Sequence, residues 1–161
     1  MRVTNIVYED FVNYKKPSMF LGSISCDFKC CVEGEFETTV CQNSSLAHAK
    51  ITNISNYDIY NKYTHNPITK AIVIGGLEPM LQWNEVLDLI YFFRTNGCDD
   101  DFVIYTGYTE DELEQTVLWN FKKFKNIIFK FGRFRINEPH HYDEVLGVEL
   151  ASPNQYAKRI S

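Results

Sequence analysis

Four of the five cysteines, Cys26, Cys30, Cys31 and Cys41, fall within sixteen consecutive positions, directly after an apolar run from Met19 to Ile24. Thiolates crowded in this way either ligate a metal centre or pair as disulfides. About 30 residues further on the chain reads Ala71-Ile-Val-Ile-Gly75-Gly76-Leu77-Glu78-Pro79. Glycines at the end of an apolar run let a backbone come close to a small ligand, because no Cβ stands in the way. The fifth cysteine, Cys98, stands alone and reads as a buried structural thiol.

Composition decides between the two thiol chemistries. The start, Met1-Arg-Val-Thr-Asn-Ile, carries no long apolar stretch with a small-residue cleavage site, and no run reaches the ~20 apolar residues of a membrane span. A cytoplasmic location is therefore expected, with no membrane partner. That compartment keeps thiols reduced, which favours metal ligation or redox chemistry. At 161 residues and 45% hydrophobic content the chain can bury one good core without covalent staples. An odd cysteine count also suits complete disulfide pairing poorly. A net charge of −5 offers no broad basic surface, so nucleic acid is not the expected partner.

The elements that must position these residues alternate between strand and helix. Arg2–Tyr8 reads as a short first strand or an extended arm, and Met19–Ser25, Ala71–Ile74, Phe102–Thr106 and Ile127–Phe131 as strands, the second of these four buried on both faces. Asn56–Tyr63 reads as a short helix. Trp83, Val86, Leu87, Ile90 and Phe93 form one face of another, closed by Gly97 at C′. Thr109-Glu-Asp-Glu112 is a capping-box pattern, which predicts a helix with Leu113, Val117 and Phe121 on its inner side. This alternation predicts a single α/β domain over residues 1–161, with mainly parallel strands. The long irregular stretch from Cys26 to about Asn53 is too long for a passive connection and is expected to be functional.

In parallel α/β sheets, sites form at the carboxyl ends of the strands. The cysteine loop, Gly75-Gly76, Thr106-Gly107-Tyr108 and Gly132-Arg133 each follow a predicted strand, so all four are expected on one rim.

These residues, in this order, resemble the short radical S-adenosylmethionine proteins, above all those that activate anaerobic ribonucleoside-triphosphate reductase. That family carries Cys-x3-Cys-x2-Cys-(Tyr/Gln)-Asn after its first barrel strand. Cys26-x3-Cys30 and Cys41-Gln42-Asn43 match the two ends. Gly75 to Pro79 resembles its Ser-Gly-Gly-(Asp/Glu)-Pro turn, Tyr105-Thr-Gly-Tyr108 its Trp-Thr-Gly-Tyr segment, and Ser152-Pro-Asn154-Gln155 its terminal Gly-Ser-x-Asn-Gln element. Three departures stand out. Ten residues separate Cys30 from Cys41 where the family has two, Asn13-Tyr-Lys-Lys-Pro17 replaces Asn-Gly-x-Gly-x-Arg, and Leu77 replaces the second glycine of the turn.

The resemblance implies a partial (β/α) radical-SAM-type barrel with a cysteine loop at about 26–44. It implies a [4Fe-4S] cluster held by Cys26, Cys30 and Cys41, whose open iron takes S-adenosyl-L-methionine. Gly75 and Gly76 would admit the methionyl portion. Glu78 would either pair with its ammonium or brace the turn, and Val40 and Gln42 would contact the adenosyl portion. The implied reaction yields a 5′-deoxyadenosyl radical that activates a glycyl-radical enzyme such as anaerobic ribonucleotide reductase, with an electron donor such as a flavodoxin-type reductant. Since the cofactors carry that chemistry, no general acid or base is assigned.

Other readings stand beside this one. A nonenzymatic iron–sulfur or zinc protein would also use these thiols, and zinc would close over four of them, Cys31 included. Adjacent side chains on an extended segment point apart, so Cys30 and Cys31 are not expected to serve one cluster equally. Phe92, Phe93, Phe129 and Phe131 read as core, His140-His141 as a surface turn, and Lys122-Lys123-Phe-Lys125 as a solvated helix end. Phe131-Gly-Arg-Phe-Arg135 reads equally as an anion contact or a basic loop.

Overall fold

The computed structural model describes residues 1–113 and 115–161. In chain order the elements are β1 (Arg2–Val3), β2 (Ile6–Asp10), β3 (Ser18–Gly22), α1 (Lys29–Glu33), β4 (Thr52–Asn53), α2 (Asn56–Thr64) and β5 (Ala71–Gly75). There follow α3 (Trp83–Thr95), β6 (Asp101–Tyr105), α4 (Gln115–Lys122), β7 (Ile127–Phe131), β8 (His141–Asp143), β9 (Val148–Leu150) and β10 (Tyr156–Arg159).

The central sheet has six strands in the order β10-β7-β6-β5-β3-β2. β3, β5, β6 and β7 run parallel, while β2 and β10 are antiparallel at the two edges. Successive parallel strands are therefore neighbours, as an α/β chain with short crossovers requires. Among the described residues the sheet is mixed and open, with two free edges, and no closed barrel forms.

Both faces of the sheet are covered, which is why the central strands read as continuous apolar runs rather than alternating ones. On one face Met19, Leu21, Ile72, Ile74, Phe102, Ile104 and Phe129 meet Ile59, Val86, Leu89, Ile90, Phe93, Val117 and Phe121 from α2, α3 and α4. On the other, Ala71, Val73, Val103 and Ile128 meet Tyr14, Leu146 and Leu150. Each large apolar side chain so buried stabilises the fold by roughly 1.5–3 kcal/mol.

The buried face of α3 uses Leu89, with Trp83 and Leu87 packed at its margin, and Gly97 takes the expected positive φ of 82°. The Thr109–Glu112 pairing forms, the Glu112 carboxylate accepting from Thr109 N–H at 2.9 Å. It caps a turn, however, and the helix begins at Gln115. The first predicted strand divides in two, β1 turning away to pair with β4.

Asn13-Tyr-Lys-Lys-Pro17 plugs the second face. Tyr14 OH donates to Asp101 Oδ2 at 2.9 Å, Lys16 Nζ lies 2.6 Å from the same oxygen, and Arg159 Nη2 lies 2.9 Å from Oδ1. Burial works against the Asp101 charge, but the bonds from Lys16, Arg159 and Tyr14 hold its carboxyl below the ordinary range. Among the described residues, no helix is long and apolar enough to cross a membrane.

Candidate metal centre and cofactor cleft

A cleft of about 390 Å³ opens at the carboxyl ends of β3, β5, β6 and β7. The four segments expected on one rim all reach it, because parallel pairing places the ends of neighbouring strands side by side. Cys26, Cys30, Cys41, Gln42, Gly76 and Glu78 line it; Val40 and Gly75 do not. Val40 lies on an exposed 3-10 turn, Thr38–Val40. Gly75 ends β5, where an added Cβ would stand 3.1 Å from Tyr105 Cβ, so its small size serves packing between neighbouring strands.

Gly76 carries the positive φ, 81°, that the turn requires. Leu77 does not share it, and its side chain turns inward and is buried. The backbone therefore reverses on one glycine, and leucine at the next position costs no left-handed strain. The turn is fixed to the cysteine segment by Glu78 N–H, which donates to Ser25 O at 2.8 Å.

The Glu78 side chain is 4% exposed and accepts three hydrogen bonds. Oε1 receives Thr106 Oγ1–H at 2.8 Å and Met80 N–H at 3.0 Å; Oε2 receives Gly107 N–H at 2.8 Å. Burial raises its pKa, while the donors from Met80, Gly107 and Thr106 counter that shift. Glu78 thus braces the exit of β5 against that of β6.

The cysteine segment is helical at its centre, contrary to the extended form expected. α1 carries both Cys30 and Cys31, whose Sγ atoms lie 3.8 Å apart. Cys30 lines the cleft, whereas Cys31 points inward and is 4% exposed. Burial, reinforced by Cys30, Cys41 and Cys26, pushes the Cys31 thiol up to about 12. Burial pushes Cys26 up to about 11, against a hydrogen bond to its sulfur from Phe28 N–H at 3.3 Å. Cys31 therefore lies within electrostatic reach of the other three clustered thiols. Cys98 is half-buried against the helix-side core, away from this group.

The donor set is all sulfur and suits an iron–sulfur centre. Among the described residues, no three His, Cys, Asp or Glu side chains already converge on one ion. A cubane binds each thiolate at a different iron, so its ligands stand farther apart than those of a single zinc.

One residue of the cleft, Lys130, went unmarked at the sequence level. Lys130, on β7, is 6% exposed and its Nζ donates to Gly132 O at 2.7 Å. Burial lowers it to about 7, while the nearby Glu78 and Cys30 oppose that shift. A lysine inside the run Ile127–Phe131 was the available signal. Tyr108 OH donates to Asp27 Oδ2 at 2.5 Å, and Arg133 pairs with Glu112 and Glu33. The terminal Ser152–Gln155 element seats on the β7 exit: Asn154 Nδ2 donates to Arg133 O at 2.8 Å, and Gln155 lines the cleft. His140 is exposed, and His141 begins β8.

The family described as the 4Fe-4S single cluster domain matches residues 19–146. No curated protein and no solved structure matches the chain.

Proposed function

The chain belongs to the 4Fe-4S single cluster domain family, and on that premise we propose that it is a radical S-adenosylmethionine activating enzyme. In this reading Cys26, Cys30 and Cys41 would hold a [4Fe-4S] cluster, which would pass an electron from a flavodoxin-type donor to S-adenosylmethionine and so supply reductive cleavage to methionine and a 5′-deoxyadenosyl radical. The partner would be a glycyl-radical enzyme such as anaerobic ribonucleotide reductase, giving up a hydrogen atom from its glycine.

The observation that carries the proposal is the sharing of one cleft by Cys26, Cys30 and Cys41 with Gly76 and Glu78, at the exits of sequentially ordered parallel strands. The sequential order supports a partial barrel that never closes. The three thiols would hold the cluster. Gly76 would let the methionyl group reach backbone groups of its turn. Glu78 accepts three protein donors that hold that turn. Gln42, beside Cys41 in the cleft lining, would contact the adenosyl group, and Val40 stands outside the cleft. Tyr105, Phe20 and Leu150 supply part of the apolar wall of the cleft.

The test is anaerobic reconstitution with iron and sulfide, reduction in the presence of S-adenosylmethionine, and assay of 5′-deoxyadenosine. Its production supports the enzyme. A stable cluster-loaded protein with no cleavage would identify a nonenzymatic iron–sulfur protein instead.

A further inference from the structure

Arg133 leaves β7 directly after Gly132, and its side chain is only 11% exposed. Its backbone is fixed: Gly132 has φ 94°, and a Cβ there would meet Asn154 O at 2.5 Å. From this fixed point the guanidinium reaches two carboxylates. Nη1 and Nη2 donate to Glu112 Oε2 and Oε1 at 2.6 and 2.5 Å, and Nε lies 3.2 Å from Glu33 Oε2. The guanidinium carbon lies 5.7 Å from the centre of the Tyr108 ring.

Tyr108 extends the same post. Its hydroxyl donates to Asp27, and Lys29 Nζ lies 4.5 Å from its ring. Beyond them, Phe36 meets Phe134 edge to face at 6.1 Å. Asp27 stands between Cys26 and Cys30, and Glu33 stands three residues beyond Cys30. On one side of Cys30, Asp27 is therefore hydrogen-bonded to Tyr108; on the other, Glu33 is held by charge beside Arg133 Nε, which makes no hydrogen bond. Glu33 and Phe36 belong to the ten residues between Cys30 and Cys41, which gives that stretch a docking role.

We propose that Arg133, with Tyr108, is a positioning residue that clamps residues 27–37 to the strand exits and so sets where Cys26 and Cys30 stand. The proposal rests on the reading of those thiols as cluster ligands. Isolated surface ion pairs do little, but here the guanidinium is enclosed and held bidentate by Glu112, which fixes its Nε beside Glu33 and its plane near the Tyr108 ring.

The experiment uses the full chain with Arg133→Met, Arg133→Lys, Glu33→Gln and the double variant Glu33→Gln/Arg133→Met. Two quantities are read: backbone hydrogen exchange of residues 27–37 before iron is added, and iron release to a chelator after reconstitution. Arg133→Met should speed both by about tenfold, with the double variant no faster and Arg133→Lys intermediate, because contacts in one network are not additive. Unchanged exchange in 27–37, or exchange rising equally in β5 and β6, would overturn the clamp. A parent protein that takes up no cluster would refute the ligand reading, while exchange would still decide the clamp.

Discussion

Glu78 and Thr106, from the exits of adjacent strands, share a hydrogen bond of 2.8 Å in which the threonine hydroxyl donates to a buried carboxylate. With Gly107 N–H on the other oxygen, this carboxylate joins the glycine turn to the Thr-Gly-Tyr segment. Glu78→Ala leaves a buried hydroxyl and two N–H groups without their acceptor, a loss of about 2–4 kcal/mol. Glu78→Gln keeps one acceptor oxygen and should lose about half as much. Urea unfolding followed by tryptophan fluorescence reads both; an alanine variant as stable as the parent would remove the bracing role.

Gly76 should resist side chains for two separate reasons. Its φ of 81° costs a non-glycine residue about 1–2 kcal/mol. A Cβ would also press on Leu46 Cδ1 at 2.9 Å, a flexible tip that can move. Gly76→Ala is thus expected to fold with modest loss, and Gly76→Val to lose S-adenosylmethionine affinity while still loading iron. Equilibrium dialysis on cluster-loaded protein measures this, and undiminished affinity in Gly76→Val would exclude the turn from cofactor binding.

The thiols should divide three to two. Cys26→Ala, Cys30→Ala and Cys41→Ala are each expected to abolish a stable four-iron cluster, whereas Cys31→Ala and Cys98→Ala retain it. The basis is the shared cleft lining of the first three, with Cys31 turned inward and Cys98 elsewhere. Iron content and the spectrum of the reduced protein decide it. Equal dependence on all four clustered cysteines would indicate a closed metal site.

Lys130 predicts a pH dependence of stability in the absence of iron. Its ammonium titrates near 10.5 when exposed and at about 7 in the folded chain, because burial disfavours the charge. Between those values the unfolded chain binds more protons, so stability rises as pH climbs from 7. Below pH 7 both states are charged and the whole cost of burying the ammonium is felt. Lys130→Met should accordingly be more stable than the parent at pH 6, with the advantage shrinking by pH 9. Urea midpoints at pH 6, 7, 8 and 9 give the difference; one that does not vary with pH would refute the charged, buried state.

Much of this arrangement was legible in the residues alone. Ile127–Phe131 coincides with β7, and Ala71–Ile74 and Phe102–Thr106 differ from β5 and β6 by a residue or so at their ends. These strands are covered on both faces, so their sequences are apolar throughout and their identity is local information. The glycine turn and the cysteine spacing are local too, which is why the rim could be assembled from sequence. Strands β8, β9 and β10 were not legible. They are short, half-exposed segments defined by their pairing partners rather than by their own residues.

The sequence by itself determined which groups would meet: four thiols, a glycine turn and two more strand exits, collected by parallel order. Only the tertiary structure decided what each would touch. Glu78 spends its oxygens on Thr106, Met80 and Gly107; Arg133 spends its guanidinium on Glu112 and Glu33; Cys31 turns inward while Cys30 faces the cleft. Periodicity and spacing report the short-range backbone, whereas these partners are brought together across as many as 100 residues by sheet register, as with Arg133 and Glu33. The acidity of a buried group follows from such partners and from lost water, neither of which a neighbour in the chain reveals.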